Sequence, residues 1–184
     1  SDNGPAITNN LKGYPEEWPD LMLTLENAPK LRGKKGDFFE GGIKVPFIAH
    51  WPDVIKKNSI SHQPVYSLDI YPTLSSIANI QLPENQVFEG LDLYPIFKDN
   101  DFLLNRESMI WLGGNKMNKI AAVRINNMKF IIDKYNIEYL FDLDADPEEK
   151  NNLCKKNPDL TDYFKKILNK YSENFPSPIT RRKD

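Results

Sequence analysis

Four short apolar segments lie close together between residues 108 and 143, and they constrain the fold more than any other feature of the sequence. They read “SMIWL”, “KIAAVRI”, “MKFIID” and “EYLFDL”. Their β-branched and aromatic residues are typical of strands, and Gly113-Gly114, Asn126-Asn127 and Asn136 separate them. Two adjacent asparagines favour a tight turn between antiparallel strands. The pattern predicts an antiparallel sheet.

An amphipathic helix is predicted after this sheet. Asn157 is a suitable cap, and Pro158 suits the first helical position because its missing N–H would have no intrahelical partner there. One face of the following segment is apolar: Leu160, Phe164, Ile167, Leu168 and Tyr171. Strands followed by one such helix predict a small α+β unit in which the helix packs on one face of the sheet.

The residues before the sheet carry weaker signals. Residues 43–51, “IKVPFIAHW”, predict a buried strand, although Pro46 makes it an edge or irregular one. Asp69 is predicted to cap a helix that runs from Ile70 to about Ala78. The apolar face of that helix is predicted to contain Ile70, Leu74 and Ile77.

Composition argues against several classes of protein. The 184-residue chain has a formal net charge of -2, whereas a nucleic-acid-binding domain is normally basic. No window is apolar enough for a membrane span, and residues 1–8 lack the basic and apolar regions of a signal peptide. The single cysteine, Cys154, excludes an internal disulfide and a cysteine-based zinc site. We therefore expect neither a nucleic-acid nor a membrane partner.

Two adjacent lysines lie among glycines in “LRGKKGDFFEGGIKVPFIAHWP”, residues 31–52. Glycine lets backbone approach a ligand closely, and the lysine ammonium is a compact charge with three donors. Lys34 and Lys35 are therefore candidates for an anion site. A glycine-rich turn with solvated lysines explains the same pattern, because charged runs usually face solvent.

Asp2 and Asn3 are candidate metal ligands near the start of the sequence, in “SDNGPAI”. Carboxylate and amide oxygens are the ligands that calcium and magnesium prefer, and Gly4 lets the backbone turn away from them. Asp-Asn-Gly is also a common turn, so the residues alone leave both interpretations open.

Six motifs follow one another along the chain: “SDNG”, “APKLRGKKGDFFEGGIKVPFIAHWP”, “SLDIYPTLSSIA”, “FEGLDLYPIF”, “AAVRINNMKFII” and “YLFDLDADPEEKNNL”. In this order they resemble the carboxyl-terminal half of formylglycine-dependent, type I sulfatases of the alkaline-phosphatase-like superfamily. The resemblance implies an α/β fold of alkaline-phosphatase-like type. It assigns residues 1–105 to the end of the catalytic domain and residues 106–184 to a small α+β subdomain with an antiparallel sheet and a C-terminal helix.

The resemblance also implies roles for three residues. “RGKKG” is similar to the family's Arg-Gly-Gly-Lys-Gly, in which the lysine contacts sulfate, and Lys35 occupies that position. Lys34 replaces a glycine and is expected to be solvated. Asp2 and Asn3 match two ligands of the family's divalent cation, usually calcium.

Other conspicuous residues are interpreted as structural. Glu40 is expected to belong to the turn that fixes the lysine segment, and Arg124 to a structural strand. His50 and His62 lie in no motif that resembles the family's active-site histidines, so they are assigned to core or surface positions. Cys154 lies outside the Cys-x-Pro-x-Arg or Ser-x-Pro-x-Arg pattern that forms formylglycine, and the chain contains neither pattern.

The function implied by the resemblance is that of a sulfuric ester hydrolase, arylsulfatase-like, acting on a sulfated small molecule or glycan. Its nucleophile, formylglycine, is expected in an N-terminal half of the same enzyme, so the 184-residue chain alone is expected to be inactive. Two alternatives stay open: a catalytically silent glycan-binding or structural module, and a phosphoester or phosphonate hydrolase on the same scaffold.

The localisation implied is that of an exported bacterial enzyme, periplasmic or extracellular. This expectation rests on the low cysteine content, on the richness in lysine, asparagine and isoleucine, and on analogy with exported bacterial relatives that process polysaccharides.

Overall fold

The computed structural model describes Gly4 and residues 31–114 and 119–174 of the chain. These residues form two compact units. One contains residues 31–45 and 107–174 together with Gly4, and the other contains residues 46–106. The predicted domain boundary after residue 105 stays a prediction.

A four-stranded antiparallel sheet organises the first unit. Its strands are β1 (Met109–Gly114), β2 (Lys119–Ile125), β3 (Met128–Ile132) and β4 (Glu138–Asp142), and their order in the sheet is their order in the chain. Ile125 lies opposite Met128, so Asn126 and Asn127 alone connect β2 to β3. The predicted sheet and its asparagine turn are confirmed.

Both faces of the sheet are covered, because successive side chains of a strand point to opposite faces. On one face a helix, Pro158–Asn174, buries Phe164 and Leu168 against Val123, Phe130 and Leu140. The predicted C-terminal helix and its apolar stripe are therefore confirmed. On the opposite face, Phe39 packs with a second cluster from the strands and the loop after β4: Ala122, Ile131, Phe141 and Leu143.

A helical turn, α1 (Glu40–Ile43), follows Phe39 and lies in the same unit. The prediction of a strand at residues 43–51 is wrong. Residues 44–50 have no regular secondary structure, and Phe47 and Ile48 are 49% and 88% exposed. Pro46 has no N–H for a strand ladder, and no described strand pairs with this segment.

The second unit contains α2 (Ile70–Ile77) and α3 (Tyr94–Lys98), and the Pro158–Asn174 helix is therefore α4. The helix predicted after Asp69 is confirmed, but the Asp69 side chain forms no cap hydrogen bond with it, and the face that the unit buries is not the predicted apolar one. Ile70 and Leu74 are 40% and 59% exposed, whereas Thr73 is buried.

Hydrogen bonds explain which face of α2 is buried. The Asp69 carboxylate accepts from the backbone N–H of Leu91 at 2.8 Å and from Arg106 Nη2 at 2.6 Å. The Thr73 hydroxyl donates to the Asp69 carbonyl and accepts from the Leu93 N–H at 2.8 Å. These polar groups turn the Asp69 and Thr73 side of the helix inward.

Candidate functional site

The two lysines singled out in the sequence lie at the tip of a short loop, residues 32–40, which we call the lysine loop. A turn closes its tip, because the Asp37 N–H donates to the Lys34 carbonyl at 2.9 Å. Gly33 and Gly36 have φ angles of 84° and 94°, a region that glycine adopts without steric cost. Lys34 and Lys35 are both exposed, and no ion pair with another described residue involves either side chain.

The glycine pair of α1 lets the loop return close to its own start. The Gly41 N–H donates to the Arg32 carbonyl at 2.7 Å. A Cβ on Gly41 would lie 2.6 Å from that carbonyl, and a Cβ on Gly42 would lie 2.6 Å from the Lys34 carbonyl. Any larger residue would push the loop outward, which confirms that this turn fixes the lysine segment.

Gly4 lies against the same turn. It is buried, and its N–H donates to the Gly42 carbonyl at 2.9 Å. A Cβ on Gly4 would collide with the Gly41 carbonyl. The residue that follows Asp2 and Asn3 in the sequence is therefore in contact with the base of the lysine loop, while Asp2 and Asn3 themselves lie outside the described residues.

One buried residue holds both ends of the lysine loop. Arg32 Nη1 donates to the Glu149 backbone carbonyl at 2.8 Å. The Glu40 N–H donates to Glu149 Oε2 at 2.7 Å. Glu149 is fully buried and has a φ of 56°, a conformation that is uncommon for a residue with a side chain. The loop is thus attached at its first and last residues to a single glutamate.

Glu149 belongs to a buried group of three charges with Glu40 and Lys129, which we call the buried triad. Lys129 Nζ lies 2.8 Å from Glu40 Oε1 and 3.0 Å from Glu149 Oε1. The Lys129 and Glu149 side chains are completely buried, and the Glu40 side chain is 5% exposed. Buried charges persist in proteins when they are paired, and here the Lys129 ammonium forms ion pairs with two carboxylates.

Lys44 forms a weaker ion pair at the edge of the buried triad. Its Nζ lies 3.9 Å from Glu40 Oε2, and its side chain is 60% exposed, so solvent screens this pair.

The guanidinium of Arg32 lies over the Phe39 and Tyr139 rings, 4.1 and 4.7 Å from their centroids. Cation–π contacts of this kind help to fix the first residue of the lysine loop.

The buried position of Glu149 affects the pKa of its carboxyl group. Burial raises this pKa above the ordinary value of 4.5, and the neighbouring carboxylate of Glu40 acts in the same direction. The positive charge of Lys129 and the hydrogen bond from the Glu40 N–H act against the rise.

Stability should therefore depend on pH through Glu149. Because its native pKa is raised, the native state holds this proton more tightly than the unfolded state. The resulting stabilisation is complete below pH 4.5 and is lost as the pH rises through the raised pKa. Glu149→Gln removes the titrating group, so the melting temperature of this variant should fall less than that of the wild type over this range.

Melting temperatures measured between about pH 4 and pH 8 test this expectation. Glu148→Gln is the matched control, because its exposed carboxylate pairs only with Lys150 among the described residues. It should keep the wild-type profile. Parallel profiles for the wild type and Glu149→Gln would show that Glu149 does not titrate in this way.

The other residues considered from the sequence lie outside the lysine loop and the buried triad. His50 and His62 are exposed. Arg124 is half-buried, and its Nε donates to the Asn126 carbonyl of its own turn at 2.8 Å. Cys154 is half-buried, and burial raises the pKa of its thiol. Among the described residues, no group of three or more His, Cys, Asp or Glu is placed to hold a metal ion.

The sequence interpretation did not find Lys129, Glu149 or Arg32. One signal was present, since Lys129 is the second residue of the otherwise apolar strand “MKFII” and lies opposite Phe141 in the sheet. A lysine in a strand that is covered on both faces requires a buried carboxylate partner. The identity of that partner was not accessible from spacing, because Glu40 lies 89 residues away.

Comparison with known proteins decides the family. The family model described as “N-sulphoglucosamine sulphohydrolase, C-terminal” matches residues 34–174, which is most of the chain. The chain belongs to the sulfatase family. The matched region includes both lysines at the loop tip and all three residues of the buried triad.

Individual sulfatases resemble the chain over much of its length. An N-acetylgalactosamine-6-O-sulfatase of Bacteroides thetaiotaomicron is 28% identical, and the match covers 91% of this chain and 34% of that protein. An N-acetylgalactosamine-6-sulfatase of Rattus norvegicus is 40% identical over 60% of this chain and 21% of its own length. The chain therefore spans about a third or less of these sulfatases.

Solved structures of other proteins show the same fold. Ps i-CgsB superposes with a TM-score of 0.70 at 31% identity, covering 77% of this chain and 32% of that protein, and it has also been solved with k-i-k-neocarrahexaose. The predicted fold class is confirmed by these neighbours. No helix among the described residues is long and apolar enough to cross a membrane.

Proposed function

We propose that this chain is the carboxyl-terminal portion of a sulfatase that hydrolyses sulfate esters of carbohydrates. The observation that carries the proposal is the lysine loop, which presents exposed ammonium groups on a glycine turn tied at both ends to Glu149. The relatives support the substrate class, since two act on N-acetylgalactosamine sulfates by name and one binds a neocarrahexaose.

Lys35 is the proposed contact to the sulfate group. Its ammonium is exposed and has no ion pair with a described residue, so it is available to an anionic ligand. A positive charge held at this point stabilises the negative charge that builds on the sulfate and on the bridging oxygen as the ester bond breaks. Lys34 is proposed to stay solvated and to contribute only general positive potential.

Asp2 and Asn3 are the proposed ligands that this chain contributes to a divalent cation, with calcium as the expected ion. The chemistry of the pair fits, because calcium is bound by carboxylate and amide oxygens. The contact between Gly4 and Gly42 supports a position beside the lysine loop. When bound, such a cation would act as a Lewis acid on a sulfate oxygen. Two side chains fall short of the six to eight oxygens calcium takes, so further ligands must come from elsewhere in the enzyme.

The whole enzyme is proposed to be a longer protein, which we call the parent. Its remaining part would supply formylglycine and further metal ligands, so the 184-residue chain is proposed to be inactive by itself. An exported bacterial location, periplasmic or extracellular, is likewise part of the proposal.

Sulfate release by the parent tests the proposed function. The parent is incubated with 6-O-sulfated N-acetylgalactosamine and, separately, with the matching 6-phosphate, and both free anions are measured by ion chromatography. We expect sulfate release that is lost on chelation of divalent cations, with little phosphate release. Release of phosphate alone would indicate a phosphoester hydrolase, and binding of the sulfated sugar without release of either anion would indicate a silent binding module.

A further inference from the structure

We infer that Glu149 is a positioning residue for Lys35 and that the buried triad, whose side chains are shielded from solvent, determines how well the enzyme uses its sulfate-binding lysine. This inference rests on the proposed function and extends it to the buried residues at the base of the lysine loop.

The first argument is geometric. Glu149 accepts one hydrogen bond at each end of the lysine loop, from the Arg32 side chain at 2.8 Å and from the Glu40 backbone at 2.7 Å. The first of these bonds uses the Glu149 backbone carbonyl, and the second uses its side chain. The loop between them carries Lys35 at its tip, so the two bonds set the position from which the tip extends.

The second argument concerns the orientation of Glu149 itself. Lys129 approaches its Oε1 at 3.0 Å, which leaves Oε2 for the Glu40 N–H. Lys129 also binds the Glu40 side chain at 2.8 Å. Glu40 is the last residue of the lysine loop, so its backbone is held by Glu149 and its side chain by Lys129. The contact of Lys129 with Glu40 is a charge-assisted hydrogen bond, which is shorter and stronger than a neutral one, and its contact with Glu149 is an ion pair.

The third argument is that the tip lacks attachments of its own. Within the described residues, the tip has only the local bonds between Lys34 and Asp37, and both lysine side chains extend into solvent. A shift at the base of the loop is therefore passed to the Lys35 ammonium. Misplacement of a catalytic group by about 1 Å can cost about 10²-fold in rate, so a small shift matters.

A double-mutant cycle in the parent separates positioning from general stability. The cycle compares the wild type, Glu149→Gln, Lys35→Ala and the double variant, with kcat/KM for 4-nitrophenyl sulfate as the readout. Glutamine keeps the shape of Glu149 but cannot pair with the Lys129 charge. We expect Glu149→Gln to lower kcat/KM about 10-fold when Lys35 is present and less than about 2-fold when it is absent, since coupled residues are not additive. An equal loss in both backgrounds, or no loss in either, would overturn the inference.

Two further variants make the outcome decisive. Leu168→Ala weakens the core on the opposite face of the sheet, where Leu168 packs with Phe130 and Phe164. It should lower the melting temperature but leave kcat/KM within about 2-fold of the wild type, because distant sites act independently. If Glu149→Gln does not fold, Arg32→Met removes the other attachment and leaves the triad intact, and the same cycle with Lys35→Ala decides the question.

The inference and the proposed function fail in different ways. If Lys35→Ala by itself leaves kcat/KM unchanged, the sulfate contact proposed for Lys35 is wrong, and the inference falls with it. If Lys35→Ala is strongly impaired but the loss from Glu149→Gln is independent of Lys35, the proposed function stands and only the positioning role of Glu149 is wrong.

Discussion

Replacement of Lys35 by alanine in the parent is expected to lower kcat on sulfate esters by about 10²-fold or more, the scale of losing one group that stabilises an oxyanion. Lys34→Ala should stay within a few-fold, on the order of what loss of general positive potential costs. Both residues lie at the tip of the same loop and are exposed. The comparison therefore isolates the direct contact from the charge of the region.

Steady-state kinetics with saturating substrate measure this difference, and Lys35→Arg tests whether charge alone is sufficient. Arginine keeps the charge but carries a planar guanidinium in place of a compact ammonium, so Lys35→Arg should retain only part of the wild-type kcat. Equal losses in Lys34→Ala and Lys35→Ala would mean that the family register along “RGKKG” has been assigned to the wrong lysine.

Replacement of Lys129 by methionine is expected to destabilise the protein by about 3–5 kcal/mol, the usual cost of leaving a buried charge without its partner. Methionine fills a similar volume, but it leaves Glu40 and Glu149 facing each other in the interior. The loss is measured as the change in the free energy of unfolding by urea. Lys165→Met is the matched control, because Lys165 pairs with Glu138 at the surface, where side-chain exposures are 34% and 38%.

The control should lose less than about 1 kcal/mol, as exposed ion pairs do. Adding Glu149→Gln to Lys129→Met should recover part of the stability, since one of the two unpaired carboxylates is then neutral. Additive losses in that double variant, or a loss for Lys129→Met no larger than the control's, would contradict the description of the triad as a coupled buried group.

The parts of the fold that the sequence predicted correctly depend on local signals. Asn126 and Asn127 join strands that pair directly, and Asn126 adopts a φ of 52°, which asparagine tolerates well. The stripe of α4 follows the helical period, so Phe164 and Leu168 are buried as expected. Each of these features is decided by residues a few positions apart.

The parts that the sequence did not predict depend on distant residues. The contact between Glu40 and Glu149 joins positions 109 apart, and that between Arg32 and Glu149 joins positions 117 apart. The buried face of α2 is set by Asp69, which binds Leu91 and Arg106. Hydrophobic periodicity carries no information about such polar pairings.

The candidate site was likewise predicted only in part from the sequence. The lysine segment was found because its residue types are unusual together, and the sequence correctly associated it with the Glu40 turn. Assignment of Lys35, Asp2 and Asn3 to sulfate and metal came from family resemblance and stays a prediction. The role of Glu149 became visible only when the structure placed both ends of the lysine loop on one residue, Arg32 on its backbone carbonyl and Glu40 on its side chain.

The most direct test of the central claim is residue-resolved acetylation of the parent's lysines, followed by mass spectrometry, with sodium sulfate or with sodium chloride at equal ionic strength. A bound sulfate shields the ammonium that it contacts. At a sulfate concentration of about ten times Kd, acetylation of Lys35 should slow about 10-fold, while Lys34 should change less than about 2-fold. Protection of Lys34 in place of Lys35, or no protection of either when sulfate demonstrably binds, would contradict the account.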